Sequence, residues 1–167
     1  MPDGAANERT RTYSWDDPLD LLSRTAAMSG LEALQMIARG ELPPPPIAMT
    51  LGFGPIDVEE GRATFTVVPA EFHYNPIGVV HGGLALAMLD SAMGCAVHST
   101  LAAGAAYTTL EVKANFVRPL TSSTGLVRCI GTVVHGGRRV ATAEGQVVDA
   151  DGKLYAHGTS TLLMLSD

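Results

Sequence analysis

The feature that most constrains this 167-residue chain is one apolar stretch, residues 84–97, in which Asp90 is the only charged side chain. The stretch is rich in Ala, Leu and Met, has no proline, and comes directly after the pair Gly82-Gly83, so it reads as a helix. Apolar residues fill almost every position, so the helix must be buried on most sides rather than along a single stripe. Crossing a bilayer takes about 20 apolar residues, more than this stretch offers. A sheet wrapped around the helix would bury it, and the remaining sequence supplies the strands.

Two strands are expected before the helix, over residues 50–59 and 62–69, joined at Glu59-Glu60-Gly61. Four more come after it, over 107–117, 125–134, 138–149 and 153–165, with hairpin chemistry at His135-Gly136-Gly137 and Asp149-Ala150-Asp151-Gly152. The expected fold class is α+β: two strands, one long buried central helix, then an antiparallel meander. Upstream, residues 1–15 are small and polar without periodicity, which predicts a loose tail. Pro18 after Asp16 and Asp17, and Ser29 with Glu32 three residues later, mark the starts of two short helices, about 17–27 and 30–39. Gly40 ends the second helix, and Pro43 to Pro46 read as a stiff connector. The chain therefore divides into a tail and helical extension, 1–46, and a principal domain, 47–167.

Composition excludes several classes of function. A net charge of −6 with no Lys/Arg run argues against a nucleic-acid surface. Two cysteines, Cys95 and Cys129, are too few for a disulfide framework, and the Met1 end lacks a basic-then-apolar leader, so a cytoplasmic location without a membrane partner is expected. His73, His81, His98, His135 and His157 show no metal-ligand spacing and there is no nucleotide-binding glycine loop, so neither a metal nor a redox cofactor is expected.

The chemistry is concentrated at the helix. Backbone N–H groups at a helix start lack intrahelical partners and carry the positive end of the dipole, so Gly82 and Gly83 suit a developing oxyanion. Asp90 lies eight residues after Gly82, roughly 12 Å along the axis. These two groups of one helix cannot flank one carbonyl carbon. If both act on the same substrate, the second must come from another copy of the helix, as in a two-fold dimer with antiparallel helices. The pentapeptide Val79-Val80-His81-Gly82-Gly83 recurs as Val133-Val134-His135-Gly136-Gly137. The second copy runs into a charged, strand-like segment, Arg138 to Thr142, with no acid in a helix, so it reads as a turn.

Asn75 six residues before His81-Gly82-Gly83, and an acid nine residues after that His, resemble the pattern of the PaaI-like hotdog-fold acyl-CoA thioesterases. The stretch from Tyr107 through Thr109 and Phe116 to Pro119 is similar to that family's strand after the central helix. The resemblance covers about residues 47–165. It implies a hotdog fold, an antiparallel sheet wrapped around the helix, and hydrolysis of an acyl-CoA by a homodimer or a dimer of dimers, with coenzyme A only as part of the substrate. It also implies roles for residues. Asp90 would be general base or nucleophile, while the Gly82 N–H and the Asn75 amide would polarise the carbonyl. Thr109 would orient the water or the carboxylate. Gly83 would border the substrate, and His81 of the motif is a catalytic-site candidate other than the base, with a structural alternative in which its ring fixes the loop.

Arg118, Arg138 and Arg139 are candidates for the coenzyme's phosphates, because guanidinium matches phosphate oxygens with a two-pronged fork. Glu111, two residues after Thr109 and so expected on the same strand face, is a reserve acid. Two alternatives stand beside hydrolysis: a non-catalytic acyl-CoA-binding module, and a hydratase, for which the chain lacks the expected Asp-x-x-x-x-His arrangement. A pure binder gains little from a carboxylate buried beside an anionic ligand.

Overall fold

A computed structural model describes residues 9–165. The expected loose tail therefore lies outside the described residues as far as residue 8. Residues 9–15 are not loose: Arg9 Nε pairs with Glu71 Oε1 at 2.6 Å, and the Arg11 guanidinium donates to the Thr50 and Met49 carbonyls at 2.6 and 2.7 Å. The same guanidinium lies over the Phe72 ring, 4.1 Å from its centre. A polar segment without periodicity is thus held by two arginines, a contact that hydropathy does not register.

The extension has the expected helices. In α1, Pro18–Thr25, the Asp17 side chain accepts from Leu19 N at 2.8 Å. In α2, Gly30–Ala38, the Ser29 hydroxyl accepts from Glu32 N at 3.2 Å. Each cap satisfies an amide that the helix cannot. A third helix, α3, Pro46–Leu51, stands where the sequence reads as connector and strand. Pro46 opens it instead of ending the connector, and Thr50 and Leu51 close it instead of starting a strand. Proline is well suited to the first helical position, and Gly52, with φ +69°, terminates the turn.

The six strands are β1 (Phe53–Glu59), β2 (Arg62–Val67), β3 (Ala106–Phe116), β4 (Val127–Gly136), β5 (Val140–Val148) and β6 (Leu154–Leu165). They form one antiparallel sheet in the order β1-β2-β4-β5-β6-β3. Only β4, β5 and β6 form a meander. The strand after the central helix does not pair with β4; it goes to the far edge beside β6. The link back passes the start of the helix, where Val80 N donates to the Leu120 carbonyl at 3.0 Å. That crossover puts β4, whose Val127, Cys129 and Gly131 are buried, in the middle of the sheet.

The central helix α4, Gly82–His98, packs against β2 through β6. Met88, Leu89, Ala92, Met93 and Ala96 have no exposed surface, and burying each large side chain is worth about 1.5–3 kcal/mol. Several buried positions of β5 and β6 are small, Ala141, Ala143, Gly145, Ala156 and Gly158, beside the larger Val147 and Leu162. Gly131 of β4 is the closest approach, since a Cβ there would stand 2.3 Å from the Ala92 backbone. Glycine at that point lets helix and sheet touch backbone to backbone. No described helix is long and apolar enough to cross a membrane.

Candidate active site

The loop before α4 is built by its own side chains. Asn75 Oδ1 accepts from Ile77 N at 3.1 Å, and Asn75 N donates to the Val79 carbonyl at 2.9 Å. Gly78 takes φ +80°, a conformation costly for any residue with a Cβ. Asn75 is therefore a turn former through its oxygen, while its amide NH2 has no partner among the described residues. His81 caps α4: its backbone N–H donates to the His73 carbonyl at 2.8 Å, and its Nδ1 accepts from Gly83 N at 2.8 Å. An acceptor at Nδ1 leaves any ring proton on Nε2.

These bonds single out one amide. Gly83 N is taken by the His81 ring and Leu84 N by the His81 carbonyl at 3.0 Å, whereas Gly82 N has no acceptor among the described residues. Gly82 borders a cavity of about 340 Å³ shared with His81, Phe116, Arg118, Tyr155 and Ala156. A Cβ on Gly82 would sit 3.3 Å from the Phe116 ring, tighter than ordinary contact. Sequence reasoning assigns Phe116 and Tyr155 no role. Phe116 sits inside the matched strand segment, but Tyr155 carries no local signal and reaches the site only because β6 lies beside β3.

Asp90 stands further along α4 on its exposed face, and its Oδ1 accepts from Thr109 Oγ1 of β3 at 2.9 Å. The structure thus joins Asp90 to Thr109, and Gly82 to His81 and Arg118, but one chain does not bring Asp90 to Gly82 or Asn75. Glu111 is not the neighbour of Thr109 that alternation predicts. The β3–β6 register slips between Thr109 and Glu111. Leu110 is the extra residue, 56% exposed. The bulge reverses parity: Thr109 pairs with the buried Leu162, and Glu111 with Thr161, whose hydroxyl donates to Glu111 Oε1 at 2.9 Å. Glu111 faces away from Asp90.

The arginines divide between the two ends of the sheet. Arg118 Nη1 donates to the Leu154 carbonyl at 2.5 Å beside the Gly82 cavity. Exposed Arg138 and Arg139 lie on the β4–β5 turn, where the Arg139 carbonyl accepts from Met164 N and Met164 pairs with Tyr107 at the other end of β3. Burial, and after it the Asp90 charge, pushes the Cys95 thiol up to about 12. Burial likewise raises the Tyr107 phenol, with Cys95 and Asp90 adding to it. Among the described residues no group of three His, Cys, Asp or Glu is placed to hold a metal ion.

Comparison with known proteins agrees with this fold. The profile of the thioesterase superfamily matches residues 77–156, from the Asn75–Gly78 turn through α4 to β6. A Saccharolobus solfataricus protein with a provisional esterase name is 31% identical over 110 residues, 66% of this chain and 76% of its own. The 1,4-dihydroxy-2-naphthoyl-CoA hydrolase of Listeria monocytogenes is 24% identical over 113 residues, 68% of this chain and 90% of that one. Among solved structures, a phenylacetic acid degradation-related protein of Ralstonia eutropha, provisionally assigned as a thioesterase, is 34% identical. It covers 78% of this chain and 98% of its own, with a TM-score of 0.69. With this family match, these relatives and this shared fold, the chain belongs to the thioesterase superfamily as a PaaI-like hotdog thioester hydrolase.

Proposed function

We propose that the protein hydrolyses an acyl-CoA thioester at a site formed between two copies of the chain. The observation that carries this reading is the separation on α4 of an unpartnered Gly82 N–H from the Thr109-bound Asp90, roughly 12 Å apart. The bare edge of β3 lies beside Asp90. An eleven-residue edge strand with unpaired backbone groups is a template for a second strand. Pairing of β3 with β3 of a second copy about a two-fold axis would continue the sheet and set the two helices antiparallel. Asp90 would then face Gly82 of the partner subunit. The same operation carries Arg138 and Arg139 to the end of the sheet where Arg118 of the partner subunit stands, grouping three guanidiniums for the coenzyme's phosphates.

The chemistry rests on these roles. The thioester carbonyl oxygen receives the Gly82 N–H and the Asn75 amide, and one such donor is worth about 2.7–4 kcal/mol in the transition state. Asp90 either takes a proton from the attacking water or attacks the carbonyl to give a mixed anhydride that water opens. In both routes the C–S bond breaks, the thiolate of coenzyme A leaves and is protonated, and the acid is released. Thr109 holds one carboxylate oxygen and leaves the other for the reaction. His81 shapes the helix start, with Gly83 capped by its ring. Water is the only co-reactant, so no metal or redox cofactor is required, and a cytoplasmic acyl-CoA pool would supply the substrate. The Listeria relative, a CoA hydrolase by name, supports the leaving group.

The test is thiol release from short, medium, long and aromatic acyl-CoAs by wild type and Asp90→Asn. The variant keeps shape and loses the basic oxygen, so turnover is expected to fall by about 10²–10⁴-fold with the fold retained; near-normal turnover defeats the assignment. Mixing Asp90→Ala with Asn75→Ala subunits should restore activity in heterodimers that hold one complete site. Absence of recovery despite demonstrated subunit exchange would argue against sharing.

A further inference from the structure

A second cavity, of about 550 Å³, lies between the N-terminal extension and the principal domain. Its walls include Leu34 and Ile37 of α2, Leu42 of the connector and Phe53 and Ile56 of β1, and its one residue from α4 is Cys95. No lysine or arginine lines it, and its one carboxylate, Asp16, is exposed. Such a lining has nothing to offer a phosphate and suits hydrocarbon, and the volume is ordinary for a small-molecule site. The Gly82 cavity, by contrast, has Arg118 on its wall.

The cavity meets α4 a little more than one turn beyond Asp90. Cys95 lies five residues beyond Asp90, about 7.5 Å along the axis. Half-buried Ser91 adjoins Asp90 in sequence and lies one turn before Cys95, and its side chain is small. Burial, and after it the Asp90 charge, keeps the Cys95 thiol protonated, so it presents an apolar floor.

We propose that this cavity receives the hydrocarbon tail of the acyl group whose carbonyl is presented to Asp90, so that the N-terminal extension sets the acyl length the enzyme prefers. The inference rests on the thioesterase reading and adds the substrate class to it: a linear aliphatic acyl thioester. The substrate would lie with its polar coenzyme at the guanidiniums and its tail against α2 and the prolines.

The test compares the full-length chain with Ala38→Trp, which puts an indole into the cavity from an exposed position at the end of α2. Saturated acyl-CoAs from butyryl to tetradecanoyl serve as substrates, and the fluorescent fatty acid cis-parinaric acid serves as a binding probe. In wild type, kcat/KM should climb by up to about fourfold per methylene, the equivalent of burying that group, until the cavity is full. In Ala38→Trp the ratio of dodecanoyl-CoA to butyryl-CoA should fall at least tenfold, and probe affinity should fall with it. An unchanged ratio and unchanged probe binding in a folded variant overturn the proposal while leaving the thioesterase reading intact. If wild type hydrolyses no acyl-CoA, that reading fails, and the probe decides the cavity separately. Binding that dodecanoyl-CoA displaces and Ala38→Trp abolishes supports it, and no binding refutes it. Pro44→Trp, at another exposed position on the wall, gives the same readout should Ala38→Trp not fold.

Discussion

The pentapeptide Val-Val-His-Gly-Gly occurs twice in this chain and folds two ways. In the first copy, His81 caps α4 and Gly82 turns a free amide into a cavity. In the second, Val133 to Gly136 continue β4, and Gly137 N closes the hairpin on the Val140 carbonyl at 3.0 Å. Identical residues thus acquire different work from the segments downstream of them. After Gly83 comes a run of helix formers that must be buried, and after Gly137 come Arg138, Arg139 and a β-branched strand. The motif is only as informative as the element it opens.

Five substitutions would break or sharpen that contrast. The largest effect is expected on turnover. In Gly82→Ala the new Cβ meets Phe116 at 3.3 Å and shifts the oxyanion donor, so kcat should drop about tenfold or more. Gly136→Ala meets nothing within 4 Å and should leave turnover unchanged. Equal loss in both would mean that the first copy is merely structural.

The order reverses for stability. A Cβ at Gly137 would stand 2.5 Å from the Val140 carbonyl, and chemical denaturation should show a loss of about 1–3 kcal/mol with activity per folded molecule retained. Smallest is the histidine pair. His81→Ala removes the acceptor for Gly83 N and should cost about 1 kcal/mol, whereas exposed His135→Ala should stay within about 0.5 kcal/mol. A larger cost at His135 than at His81 would contradict the capping role.

The central helix, the strands and the helices of the extension can be read from sequence because each has a local signature: apolar saturation for α4, alternation for β2, Asp17 and Ser29 as caps. The site is legible where one element supplies its own geometry, as in the Asn75 turn and the Gly82 helix start. It is misread where two elements meet. Strand periodicity puts Glu111 beside Thr109, and nothing in Thr109-Leu110-Glu111 announces the bulge that separates them. The docking of residues 9–15 escapes sequence reasoning for the same reason, since Arg11 finds its carbonyl acceptors and the Phe72 ring only after α3 and the 71–73 turn are in place.

By itself the sequence determined that one nearly all-apolar helix carrying a single acid had to be wrapped by antiparallel strands, and that its glycine start would leave amides unsatisfied. Both result from local preferences and from the cost of exposing apolar surface. Only the tertiary structure decided that β3 lies at the sheet edge, that Thr109 rather than Glu111 meets Asp90, and that the extension encloses a cavity against Cys95. Those outcomes depend on which strand edges and faces find partners, and such pairings join residues far apart in sequence, where no local pattern records them.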